Sequence, residues 1–172
     1  MSIAIVTVMM TALLLGGVAV FAQGSFAALT KMTDAWNEME DRTSAMARTS
    51  LEAVSTSYAT PTIDVTMLNS GGIALRDFAK WDVVVQYYET DGTYRSAWLP
   101  YTGSTPVADN SWGVVGLYQD AAASKPEAYQ PNILDPGEHL VISIVVDPPA
   151  DSTANNRVLV GTPNAATLSS AF

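Results

Sequence analysis

Residues 3–22 read IAIVTVMMTALLLGGVAVFA, and the first charged side chain of the whole sequence is Lys31. About twenty apolar residues wound as a helix are long enough to cross a bilayer core of roughly 30 Å. Burying each Val, Leu, Ile, Met or Phe is worth about 1.5–3 kcal/mol. The segment is therefore expected to be kept out of water, and whatever covers it decides what the protein is. A secretory signal has a basic leading region and a shorter apolar run; the stretch does not fit that pattern, so a membrane anchor or a helix packed against copies of itself is expected.

Downstream of Gln23-Gly24-Ser25, Met32, Trp36, Met39, Thr43, Met46, Ser50 and Val54 recur at spacings of three and four. That is the mark of one helical face. Asp34, Glu38, Glu40, Asp41, Arg42, Arg48 and Glu52 fall on the other side, and no proline precedes Pro61. The pattern predicts one helix from near the N-terminus to about Ser55, on the order of 80 Å long, with bends allowed at Gly16-Gly17 or Gly24-Ser25, where glycine weakens helix. The Met/Trp stripe is expected to pack on the chain's own outer domain, its lower part on neighbouring subunits.

From Pro61 the period falls to two. Residues 62–68 (TIDVTML) alternate and end in the turn Asn69-Ser70-Gly71-Gly72. Residues 81–89 (WDVVVQYYE) and 93–100 (TYRSAWLP) flank Asp91-Gly92, a hairpin signal. Residues 112–119 read as a shorter strand, 121–131 as loop, 139–146 (HLVISIVV) and 157–162 (RVLVGT) as strands, and the tail as an edge strand. The fold class expected is α+β: a long N-terminal helix, hydrophobic then amphipathic, over residues 1–56, followed by an antiparallel Ig-like β-sandwich over 57–172. Trp81 and Trp98 are assigned to its core.

Signatures of chemistry are missing. The sequence has no cysteine and one histidine, His139, which cannot build a zinc site without converging carboxylates. Gly-x-Ser-x-Gly and the phosphate-binding glycine patterns are absent. Asp147 and Asp151 bracket a turn in the manner of a calcium loop, but two turn carboxylates are ordinarily just solvated. No N-glycosylation sequon occurs. With seventeen acidic against eight basic residues and a net charge of −9, nucleic acid and anionic lipid are poor partners. No catalytic, cofactor-binding or metal residues are expected, and no cofactor.

A charge-free helix running into an amphipathic helix and then a β-sandwich resembles the type IV filament superfamily, and within it the archaellin and archaellar-stator branch. Bacterial pilins carry a Glu early in this helix, where the chain has Ile5. Asn69-Ser70-Gly71-Gly72 followed by Phe78 and Trp81-Asp82, then Ile133-Leu134-Asp135-Pro136-Gly137-Glu138, then Thr162-Pro163-Asn164, are similar to short patterns of archaellin-like domains. The resemblance implies a short basic leader removed ahead of the helix, making Met1 the processed terminus, where Met is a departure. It also implies a membrane-held precursor, assembly by a cytoplasmic ATPase with a platform protein, and a cell-surface filament of many copies that drives motility. Such a filament core brings Ile3, Ile5, Val8, Met9, Ala12, Leu13, Leu15, Gly16, Ala19, Val20 and Phe21 into helix–helix contact, the small residues allowing close approach. The alternatives are an anchored archaellar stator, or a minor pilin or adhesion-pilus subunit, with a binding sandwich, and a tethered enzyme for which no residues stand out.

Overall fold

The structure is a computed structural model that describes residues 2–104, 106–120, 125–130 and 132–172. The sequence splits by periodicity, and so does the chain, into two compact units, Met1–Ser44 and Ala45–Phe172. One helix, α1 (Ser2–Arg48), supplies the first unit and the opening turn of the second. Its 47 residues extend about 70 Å, and it runs through both glycine sites without a break.

The helix stops seven residues earlier than the spacing predicts, since the run from Leu51 to Ala59 is strand β1. Thr56 and Tyr58 favour the pleated conformation, and β1 pairs along β2 (Thr62–Asn69) from Leu51 opposite Asn69 to Ala59 opposite Thr62. Val54, which continues the helical spacing by coincidence, lies at the register shift between Ala53 and Ser55 and is 51% exposed. The turn joining β1 to β2 is Thr60-Pro61.

The other strands are β3 (Asp82–Tyr88), β4 (Tyr94–Leu99), β5 (Ser111–Asp120), β6 (Lys125–Pro126), β7 (His139–Val145), β8 (Arg157–Gly161) and β9 (Thr167–Ala171). They form two antiparallel sheets, ordered β1-β2-β7-β5-β6 and β4-β3-β8-β9. Strand β5, expected to be short, has 10 residues and carries a register shift between Val114 and Gly116. Part of the stretch expected as loop is strand, because β6 pairs with β5; residues 121–124 and 131 of that stretch lie outside the described residues.

Alternation places every second residue inside: Ile63, Val65 and Met67 of β2, Leu140, Ile142 and Ile144 of β7, and Val83, Val85 and Tyr87 of β3 are buried, with Val158, Val160 and Trp112 between them. Trp81 is buried as expected, but Trp98 is 61% exposed. The physical reason is parity, since Leu99 next to it takes the inward position and Trp98 must face out. Its indole N–H donates to the Asp82 carboxylate at 2.9 Å.

Both flanks of the sandwich are bridged. On one, Tyr101 makes a parallel bridge to Trp112, with the Thr102 amide donating to the Trp112 carbonyl at 2.7 Å. On the other, the Thr56 hydroxyl donates to that of Ser170 at 2.7 Å, and the rings of Tyr58 and Phe172 lie 5.5 Å apart. Two buried asparagines fix the loops at opposite ends. Asn69 donates to the carbonyls of Ile73 and Leu134 and accepts from the Gly71 amide. Asn156 accepts from the Tyr88 amide and donates to the Asp151 carbonyl. Each thereby satisfies backbone groups that would otherwise be orphaned inside.

Candidate assembly surface

Residues 3–22 have no polar face, so no direction around the helix is better suited to water than another. All eleven residues expected in helix–helix contact lie on this helix and are exposed: Ile3, Ile5, Val8, Met9, Ala12, Leu13, Leu15, Gly16, Ala19, Val20 and Phe21. The extremes are Ile5 at 61% and Ile3 at 83% among the large side chains. Val6, Met10, Leu14 and Val18, outside that set, are exposed too. The signal for them was in the sequence too, since a helix apolar all round calls for cover all round. By length and composition the helix can cross a membrane.

Two shallow apolar grooves flank Leu13, Gly17 and Phe21: Met10, Leu14 and Val18 line one, and Met9, Ala12, Gly16 and Val20 the other. Nothing stands within 4 Å of where a Cβ on Gly16 or Gly17 would lie. Another backbone can therefore approach there. The hydroxyls of the segment's two threonines are satisfied by their own helix: Thr7 Oγ1 donates to the Ile3 carbonyl at 2.9 Å and Thr11 Oγ1 to the Thr7 carbonyl at 2.8 Å. Hydroxyls satisfied by their own helix carry no desolvation penalty into an apolar environment.

Further along, the stripe expected to be covered is open: Met32, Trp36 and Met39 each keep more than half of their surface, as does Leu29. Chemistry does the rest of the sorting, with Glu38 and Arg42 forming an ion pair one turn apart.

On the sandwich, the loop after β2 and the β8–β9 turn enclose a cleft of about 430 Å³, lined by Arg76, Asp77, Lys80, Trp81, Pro163, Asn164 and the segment from Ile73 to Leu75. The buried Trp81 indole donates to the Arg76 carbonyl at 3.2 Å, fixing that backbone. Asp77 is left-handed (φ 57°, ψ 47°), a conformation Asp tolerates better than most residues. Its carboxylate accepts from Lys80 Nζ at 2.8 Å, and this hydrogen bond with the ammonium charge holds the Asp77 pKa below its usual value. Two cations thus meet one carboxylate in the cleft.

Titratable groups elsewhere have structural duties. Asp151 accepts from the amide and hydroxyl of Thr153, which lower its pKa. His139 is half-buried at the start of β7, between Leu68 and Tyr118, and its Nδ1 has no partner among the described residues. Among the described residues no group of His, Asp or Glu is placed to hold a metal ion.

No protein-family model matches the chain, and no curated protein matches it. Solved structures do. A chain of the archaellum periplasmic stator protein complex FlaF and FlaG from Sulfolobus acidocaldarius aligns with a TM-score of 0.50 at 21% identity, over 71% of this chain and 87% of that one. The archaellum periplasmic stator protein FlaG from the same organism aligns with a TM-score of 0.50 at 21% identity, over 72% of this chain and 99% of that one. The archaeal flagellum of Methanospirillum hungatei strain JF1 aligns with a TM-score of 0.47 at 11% identity, over 94% and 88%. The structural neighbours are archaellum components, and the stator likeness establishes the sandwich fold.

Proposed function

We propose that the chain is a structural, non-catalytic subunit of an archaellum-type helical surface filament, built through its N-terminal helix. The observation that carries this reading is the charge-free segment of α1, exposed on every side with its two threonine hydroxyls internally satisfied. Lipid covers such a surface before assembly and neighbouring helices cover it afterwards, and the exchange from one dry surrounding to another costs little. The helix Ser2–Arg48 then serves as the filament core and the sandwich from Leu51 onward as the outer domain, with the acidic sandwich surface toward water. The contact is head-to-tail, and a rotation that does not close yields a helix of subunits. The cell surface is the site of the finished polymer, and an assembly ATPase and platform protein are the implied partners. Electron microscopy of the native material tests the reading: helical filaments are expected, and detergent micelles containing single chains overturn it.

A second reading, a membrane-anchored stator component, is favoured by one observation, the alignment of 72% of this chain with 99% of a stator protein. It requires a permanently lipid-embedded helix and a small closed oligomer in detergent instead of a polymer.

A further inference from the structure

We propose that the cleft at Arg76 and Lys80 is a subunit-to-subunit socket, and that its occupant is the acidic stretch over residues 34–41 of a second copy of this chain. The inference rests on the filament reading and names a contact within it.

The two surfaces are complementary in charge. Within a chain of net charge −9, the cleft sets the Arg76 guanidinium and the Lys80 ammonium against the single carboxylate of Asp77. Lys80 is already shared with Asp77, while Arg76 makes no ion pair among the described residues. The helical stretch has the opposite balance. Glu38 is paired with Arg42, whereas Asp34, Glu40 and Asp41 make no ion pair among the described residues.

The two surfaces lie on different parts of the chain, so in the proposed filament the contact runs from one copy's stretch to the next copy's cleft. It is heterologous and propagates, as a filament requires. Stacking many copies of a strongly acidic chain is opposed by their mutual repulsion. Setting each copy's few accessible cations on the next copy's carboxylates relieves that repulsion where copies are nearest, and it fixes register. Within a polymer the local concentration of neighbouring copies is high, so even a weak ion contact can be populated.

The sequence has no cysteine, so an engineered pair reports one contact only. Asn164→Cys places a thiol in the cleft wall and Asn37→Cys places one in the acidic stretch, with every charge retained. Treating filaments of the full-length double variant with a short bis-maleimide is expected to give a ladder of dimer, trimer and longer species on a denaturing gel, absent from either single variant. Filaments of the double variant that stay monomeric on the gel overturn the socket while leaving the filament reading intact. Failure of the unsubstituted chain to polymerise overturns the filament reading and the socket with it. A charge swap checks the chemistry: Arg76→Glu with Lys80→Glu is expected to lower the polymerised fraction, and adding Glu40→Lys with Asp41→Lys to restore it. Unchanged polymerisation in the first pair, or no restoration in the second, counts against the socket.

Discussion

Gly71 lies so close to Arg48 that a Cβ on it would stand 2.5 Å from the Arg48 carbonyl oxygen and 2.6 Å from the Ser50 amide nitrogen. The Gly72 amide donates to that same carbonyl at 2.8 Å, and the Gly71 amide to the Ser50 carbonyl at 3.1 Å. The end of α1 is thus closed by the turn between β2 and the rest of the sandwich, which supplies a donor to the carbonyl of its last residue and another to Ser50 just beyond it. Gly71→Ala is expected to destabilise the Ala45–Phe172 unit by about 1–3 kcal/mol, because backbone must move to admit the methyl group. Gly72→Ala has open space around its Cβ and is expected to stay within about 0.5 kcal/mol of the parent. Thermal denaturation of the two variants side by side measures the difference.

The two tryptophans assigned alike from sequence should separate by mutation. Trp81 is 2% exposed and packs edge-on against Phe78 with ring centroids 5.2 Å apart. Trp81→Ala is expected to cost about 3–5 kcal/mol. Trp98→Ala loses an exposed hydrogen bond to Asp82 and is expected to cost about 0.5–1 kcal/mol. Equal losses in a urea titration would contradict the outward placement of Trp98.

Leu14→Asp tests the role of the apolar helix. Leu14 is bare in the single chain, so the sandwich melting temperature is expected to be unchanged. A carboxylate there must be buried without a partner in any helix bundle, at a cost of several kcal/mol. Filaments should therefore be absent from micrographs of the variant, and normal filaments from it would refute the packing scheme.

Acid stability turns on a carboxyl pair. Glu127 and Glu138 are hydrogen-bonded to each other; that bond, with the amides of Tyr129 and Gln130, holds the Glu127 pKa down to about 2. Burial first, and then the bond to Glu127, raise the Glu138 pKa above 4.5. The signs are opposite. Glu127, lowered in the folded chain, contributes stability that is present above its ordinary value and lost as pH falls toward about 2. Glu138, raised, contributes stability that is present below 4.5 and lost as pH rises through its folded value. Glu138→Gln keeps a donor for Glu127 and removes the second titration. The melting temperature of this variant is expected to hold flat on the alkaline side of pH 4.5, where that of the parent declines.

The apolar run of α1 was legible as helix in the sequence, because it leaves no polar side to misplace. So were the strands with strict alternation, such as Ile63, Val65 and Met67, and the hairpin at Asp91-Gly92, where Gly92 has φ 85°. Strand β1 was not, since Met46, Ser50 and Val54 extend the helical spacing into it, and only pairing with β2 decides the matter. Trp98 was misplaced because β4 offers apolar residues at both parities, Ala97 and Leu99 as well as Trp98. The basic cleft was invisible, as Asn164 meets Arg76 and Lys80 only once the β8–β9 turn folds back.

Asn69 and Asn156 tie the loops at each end of the sandwich from within, through amides that water never reaches. The outward side chains of those loops are thereby released from holding the fold. The domain carries an exchangeable exterior, one that mutation can rewrite residue by residue while the scaffold beneath keeps its shape.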